Sequence, residues 1–302
     1  MLSKLFLLIL FVATTSLSVI AQESTILQCD TRNIHFKIFG KGTPILIING
    51  GPGLDCLGFE NIATQFAEKG YQAIIFDQTG TGKSTVFEKN AQTVSLSTIV
   101  EDMEEIRKHL NIEQWILFGQ SFGGMVSAAY TLQYPERIKT LIFSSSAGLN
   151  LDFLQEFQTQ LHKQLTSSQI DSLQLLNTSI ENGDTTVETL NEYSEILAKA
   201  YVYNKEKSFT IAKRLLQVDY TVHSLIMEDL LQRKFDLSSS FANFTQPVLV
   251  LQGLNDVISG NTAKKIATAF PQSQLILFEH CGHYPWLDVP EQFWLRIEQF
   301  LQ

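Results

Sequence analysis

A short apolar run, Trp115–Phe118, leads into Gly119-Gln120-Ser121-Phe122-Gly123 and then into a helix-compatible stretch reaching Tyr130. This order, strand then G-x-S-x-G then helix, constrains the chain more than any other feature. A tight strand-to-helix turn lifts the serine above the sheet, and the flanking glycines admit backbone where a Cβ would clash. Ser121 is therefore the candidate nucleophile. The first amides of the following helix favour negative charge developing on a substrate oxygen, which makes the Phe122 N–H a candidate oxyanion donor. The pattern is short and also arises by chance, so its weight rests on what stands elsewhere in the chain.

Three further strand ends supply what an activated serine needs. Ile45–Ile48 runs into Asn49-Gly50-Gly51-Pro52-Gly53, where the glycine concentration lets backbone amides approach a ligand, so Gly51 is the second oxyanion candidate. Pro247–Gln252 ends at Gly253-Leu254-Asn255-Asp256, and Ser273–Phe278 ends in a loop carrying His280 and His283. The chain order Ser121, Asp256, His283 is the one expected after a G-x-S-x-G elbow. In this reading His283 takes the serine proton and later returns it to the leaving group, while Asp256 orients the imidazole and stabilises its cation. His283 is preferred to His280 because Gly282 permits a close turn. Asp256 is preferred to Glu279 and Asp288 because it alone follows another apolar strand. His35, His109, His162 and His223 read as structural or exposed.

Strand candidates at Ile34–Phe39, Gln72–Phe76 and Thr140–Ser144, with helices at Phe59–Lys69, Leu96–Leu110, Asn261–Phe270 and Glu291–Leu301, alternate along the chain. Alternation of this kind implies a mostly parallel sheet flanked by helices. The rhythm changes between Leu151 and Phe241, where five helix-compatible segments follow one another. That stretch reads as a helical cap over the sheet, able to enclose a substrate and exclude water. The expected division is a core from 22 to 148, a cap from 149 to 240 and a second part of the core from 241 to 302.

Other functions are excluded or disfavoured by residue type. A net charge of -9, with only 18% charged residues, gives no support to nucleic-acid binding. Asp77-Gln78-Thr79-Gly80-Thr81-Gly82-Lys83-Ser84 imitates a phosphate loop, but Asp77 stands where the first glycine is required. Glu101, Asp102, Glu104 and Glu105 suit a solvated helix face, no spacing makes a persuasive metal centre, and no cofactor is expected. Met1–Gln22, with Lys4, an apolar run over Leu5–Ala13 and small residues before Ala21, resembles a secretory leader cleaved after Ala21. The chain is then exported to a periplasmic or secreted location with no remaining membrane span; an uncleaved anchor is the alternative. In an oxidising compartment Cys29 and Cys56 are free to pair, whereas Cys281 reads as a small buried hydrophobe.

At these residues the chain resembles the α/β-hydrolases, and within them the prolyl-aminopeptidase-like (proline iminopeptidase) branch. Asn49-Gly50-Gly51-Pro52-Gly53 is similar to that branch's HGGPG, with Asn49 for histidine. Asp77–Ser84 is similar to DQRGxGxS, with Thr79 for arginine. The resemblance implies an α/β-hydrolase fold and an acyl-enzyme mechanism. It also implies a small peptide or small ester as substrate, with N-terminal proline as the preferred residue. The branch's peptidases hold a free amino terminus with cap carboxylates near a WxxWE pattern; the comparable stretch here, Ala200–Lys205, lacks that glutamate and introduces a lysine. An ester hydrolase is the nearest alternative, and a non-catalytic ligand-binding protein the more distant one. Epoxide hydrolase or dehalogenase chemistry is disfavoured, because Ser121 occupies the position where those relatives carry aspartate.

Overall fold

The structure, a computed structural model, describes residues 22–302. The leader expected over Met1–Ala21 lies outside the described residues. Among them no helix is long and apolar enough to cross a membrane.

The chain opens with an antiparallel hairpin, β1 (Gln22–Gln28) and β2 (Arg32–Phe39). Next come β3 (Thr43–Ile48), helix α1 (Glu60–Glu68), β4 (Tyr71–Phe76) and the two-residue β5 (Thr85–Val86). Helix α2 (Leu96–His109), β6 (Trp115–Gln120), α3 (Phe122–Gln133) and β7 (Ile138–Ser144) follow. Five helices then intervene: α4 (Phe153–Gln164), α5 (Ser167–Glu181), α6 (Val187–Tyr201), α7 (Ser208–Leu215) and α8 (Tyr220–Gln232). The sheet resumes with β8 (Val248–Gly253), α9 (Gly260–Ala269), β9 (Ser273–Phe278), α10 (Pro285–Asp288) and α11 (Pro290–Leu301).

One sheet in the order β1-β2-β4-β3-β6-β7-β8-β9 results, with β5 pairing β2. From β4 through β9 the pairing is parallel, whereas β1, β2 and β5 pair antiparallel. The central strands β6 and β8 are buried along their whole length, as strands covered on both faces must be. Two apolar cores account for that cover. One lies under α2, α3 and α9, around Met103, Met125, Phe143 and Phe270. The other lies under α1 and α11, around Phe66, Phe118, Phe293 and Ile297.

No bridge joins the cysteines among the described residues. Cys29 packs at the margin of the first core, Cys56 is buried in the second, and all three cysteines are free. Cys29 and Cys56 thus pack in different cores. Cys281 is wholly buried in the second core, and burial pushes its thiol well above the ordinary range. Two strands escaped the sequence reading: β1 is largely exposed and polar, and β5 is too short to carry a pattern.

Candidate active site

Parallel register brings the decisive loops to one level. Ile48 lies opposite Gly119, Gln120 opposite Ser144, Ser144 opposite Leu251, and Gly253 opposite Phe278. The segments leaving β3, β6, β8 and β9 therefore converge at the carboxyl edge of the sheet, where open α/β sheets place their sites.

Ser121 sits between β6 and α3 at φ 55 and ψ -121, a conformation that L residues avoid. Strain of this kind costs on the order of 1–3 kcal/mol and persists only where the surroundings enforce it. Here the enforcement is contact between backbone segments. A Cβ on Gly123 would run into the carbonyl of Ile48, and one on Gly119 into the Gly123 backbone and the Ser127 hydroxyl. These two approaches are what the G-x-S-x-G spacing permits. The Ser121 carbonyl accepts from the amides of Gly124 and Ala147, which pins the turn to the end of β7.

His283 is 2% exposed, and its Nδ1 lies 2.8 Å from Asp256 Oδ1. A carboxylate accepts, so Nδ1 carries the proton and Nε2 presents a lone pair. Asp256 is also 2% exposed and is held at three points. The Ile258 amide donates to Oδ1 at 2.9 Å, His283 donates to the same oxygen, and the Gln252 side-chain amide donates to Oδ2 at 2.7 Å. The inserted helices complete the setting. The carbonyl of Tyr201, the last residue of α6, accepts from the His283 amide at 2.8 Å, and the Tyr201 ring meets the imidazole edge-on at 5.1 Å. The Ser121 hydroxyl has no hydrogen-bond partner within the chain among the described residues, leaving it free to turn toward Nε2. In such sites the contact commonly tightens only when substrate binds.

Ser121, His283, Gly51 and Phe122 line one cavity of about 260 Å³. Gly51 holds φ +74, and neither its amide nor that of Phe122 has a partner within the chain among the described residues. The remaining wall is mostly apolar: Met125, Phe153, Phe157, Met227, Val257 and Ile258. No carboxylate side chain lines it.

The competing residues are placed elsewhere. His280 is exposed and packs on the Tyr203 ring, and Glu279 is exposed. Asp288 accepts from the amides of Gly282, Tyr203 and Asn204, a brace between the histidine loop and the helical insertion. Lys205 turns its ammonium onto the carbonyls of Lys199 and Val202. Asp77 in the phosphate-loop mimic accepts from the amides of Cys56 and Lys83, and the Ser84 hydroxyl donates to its backbone carbonyl. Despite burial, these bonds hold its carboxyl below the ordinary range. Asp102 and Glu104, expected on a solvated face, are instead buried: Thr79 donates to Asp102, which also takes the Arg32 guanidinium, and Glu104 pairs with Arg107.

Of the histidines read as structural or exposed, His35 is structural and His223 differs. His35 bridges Asp77, at 2.7 Å, to the exposed Ser24 hydroxyl, at 2.9 Å. This copies the order of a catalytic relay, but Ser24 lies on an exposed strand and lines none of the cavities described. His35, Cys56 and Asp77 also offer ligand atoms within 4.8 Å of one another, but hydrogen bonds already occupy the carboxylate. His223, on α8, lines the Ser121 cavity. Sequence reasoning missed its place there and missed Gln252 as a support for Asp256. For Gln252 a signal existed: an amide side chain ending the otherwise apolar run Pro247–Leu251.

Comparison with known proteins bears on the fold and the family. Residues 43–290 match the family model described as alpha/beta hydrolase fold. The chain belongs to that family. It is 28% identical over 277 residues to a proline iminopeptidase of Heyndrickxia coagulans, covering 87% of this chain and 91% of the relative. The crystal structure of a proline iminopeptidase from Mycobacterium smegmatis superposes with a TM-score of 0.74 at 21% identity, covering 92% of this chain and 97% of the other. An esterase from Exiguobacterium antarcticum superposes with a TM-score of 0.70 at 21% identity, covering 92% and 99%. The α/β-hydrolase family member is thus a serine hydrolase of the proline-iminopeptidase-like branch.

Proposed function

We propose that this α/β-hydrolase cleaves esters or amides of small, uncharged, apolar acyl groups through an acyl-enzyme on Ser121. The observation that carries the reading is the cavity beside Ser121, whose wall holds aliphatic, aromatic and thioether side chains and no carboxylate. A charged ammonium buried there would lack a counter-ion, and isolated buried charge is strongly disfavoured.

The steps follow from the positions of the groups. His283 Nε2 takes the Ser121 proton as Oγ attacks the carbonyl carbon, and the cation so formed faces Asp256. The amides of Gly51 and Phe122 donate to the oxyanion, each such donor contributing about 3 kcal/mol. The leaving group departs with the proton from His283, and water repeats the sequence to release the acid.

The relatives' names favour a second reading within the same chemistry, release of N-terminal proline from small peptides. The prolyl ring is itself small and largely apolar, and its nitrogen enters uncharged if the peptide binds as the free amine. We also propose export, resting on the leader-like pattern of Met1–Ala21. The test of substrate class is paired hydrolysis with Ser121→Ala as blank, using short-chain esters and aminoacyl anilides with free or blocked amino termini. Serine-dependent ester turnover indifferent to an amino group supports the first reading. A strict requirement for a free amino terminus overturns it in favour of the second.

A further inference from the structure

The inserted helix α8 reaches the loop that carries the oxyanion donor. Its N-cap residue Asp219 donates its amide to the Gly53 carbonyl at 2.8 Å, and His223 Nδ1 lies 3.1 Å from the Pro52 carbonyl. A carbonyl only accepts, so Nδ1 is the protonated nitrogen and the tautomer is fixed. Nε2, on the far edge of the ring, is then an acceptor with no partner within the chain among the described residues. The ring is half-buried and lines the Ser121 cavity together with Gly51 and Pro52. Apart from Ser121, His283 and the Tyr201 phenol, no other side chain with a hydrogen-bonding nitrogen or oxygen lines that cavity.

We infer that His223 is a specificity-determining residue: its Nε2 accepts a hydrogen bond from an N–H or O–H on the acyl group, close to the carbonyl carbon. Its neighbour in the wall, Gly51, holds the oxyanion donor, so the acceptor addresses the acyl side near the reacting carbon. The substrate class is thereby narrowed to apolar acyl groups bearing one neutral donor, such as an uncharged secondary amine or a hydroxyl. A neutral imidazole acceptor in a largely apolar cavity suits these groups. A site built to bond such a donor rejects the analogue lacking it, because its own polar group is left unpaired. The inference rests on the serine-hydrolase reading of this cavity.

Two variants separate recognition from the tether to Pro52. His223→Asn keeps a donor near the Nδ1 position and removes the distal acceptor, whereas His223→Leu removes both. Matched pairs are read by kcat/KM: prolyl against cyclopentanecarbonyl p-nitroanilide, and 2-hydroxybutyryl against butyryl p-nitrophenyl ester. The expected result is that the wild type prefers the donor-bearing member of at least one pair. His223→Asn lowers the ratio of kcat/KM for that member over its plain analogue about 10- to 100-fold. His223→Leu lowers both members, since the oxyanion loop is also released. Equal loss on both members with His223→Asn overturns the inference and leaves only a tether. Absence of any donor preference in the wild type overturns it also. Turnover that persists in Ser121→Ala refutes the underlying serine-hydrolase reading instead, which keeps the two failures distinct.

Discussion

Gln252 offers a quantitative test of how the acid of the site is held. Its amide is the sole donor to Asp256 Oδ2 among the described residues, at 2.7 Å, while Oδ1 is shared by His283 and the Ile258 amide. Gln252→Leu removes that donor without touching the cavity, which Gln252 does not line. A hydrogen bond to a charged group contributes about 1.5–3 kcal/mol, and without it Asp256 keeps only the two contacts on Oδ1. If that energy is lost as the imidazolium forms, kcat falls about 10- to 100-fold at unchanged KM. The assay is steady-state hydrolysis of a p-nitrophenyl ester, run well below the melting temperature of each variant. Gln252 also donates to the carbonyls of Gly253 and Ile258, so some loss of melting temperature accompanies the substitution and must be measured separately. Gln252→Glu supplies the control that a purely structural role would not move. Two carboxyls at this distance cannot both ionise readily, so that variant retains activity at low pH and loses it as pH rises. A folded Gln252→Leu protein with kcat within twofold of wild type refutes the reasoning.

Further outcomes follow from the same contacts. Asp256→Asn disturbs the His283 tautomer and lowers kcat about 10⁴-fold with the fold intact by circular dichroism. Gly123→Ala drives a Cβ into the Ile48 carbonyl and lowers both melting temperature and the yield of folded protein; unchanged stability contradicts the close-approach account of the elbow. Burial, opposed by Arg32 and Thr79, pushes the Asp102 carboxyl up to about 6. The native state then holds more protons than the unfolded chain between about pH 4 and 6, so this group lowers stability as pH rises through that window. Denaturant unfolding should show Asp102→Asn gaining on wild type by up to roughly 3 kcal/mol from pH 4 to pH 7; a pH-independent difference contradicts it.

The legible parts of the sequence were those where an apolar run meets a loop. Ser121, Asp256 and His283 each end such a run, and a parallel sheet converts that shared position into spatial proximity. The five helices between β7 and β8 were legible for a similar reason, because long amphipathic patterns depend on local periodicity. What stayed hidden depends on docking. His223 faces the site only because α8 packs on a loop 171 residues away in sequence, a contact without local signature. The hairpin strand β1 is recruited by pairing with β2 rather than by its own apolar pattern. Cys29 and Cys56 looked pairable, but they pack in different cores.

The central claim is that Ser121 is the nucleophile, activated by His283 and Asp256. Reaction of the protein with a fluorophosphonate, followed by peptide mass spectrometry, tests it most directly. The account predicts one adduct per chain, on Ser121, with ester hydrolysis lost in proportion. It also predicts that the adduct is absent in Ser121→Ala and forms far more slowly in His283→Gln. Hydrolysis that survives complete labelling of Ser121, or an adduct that forms elsewhere while activity disappears, contradicts it.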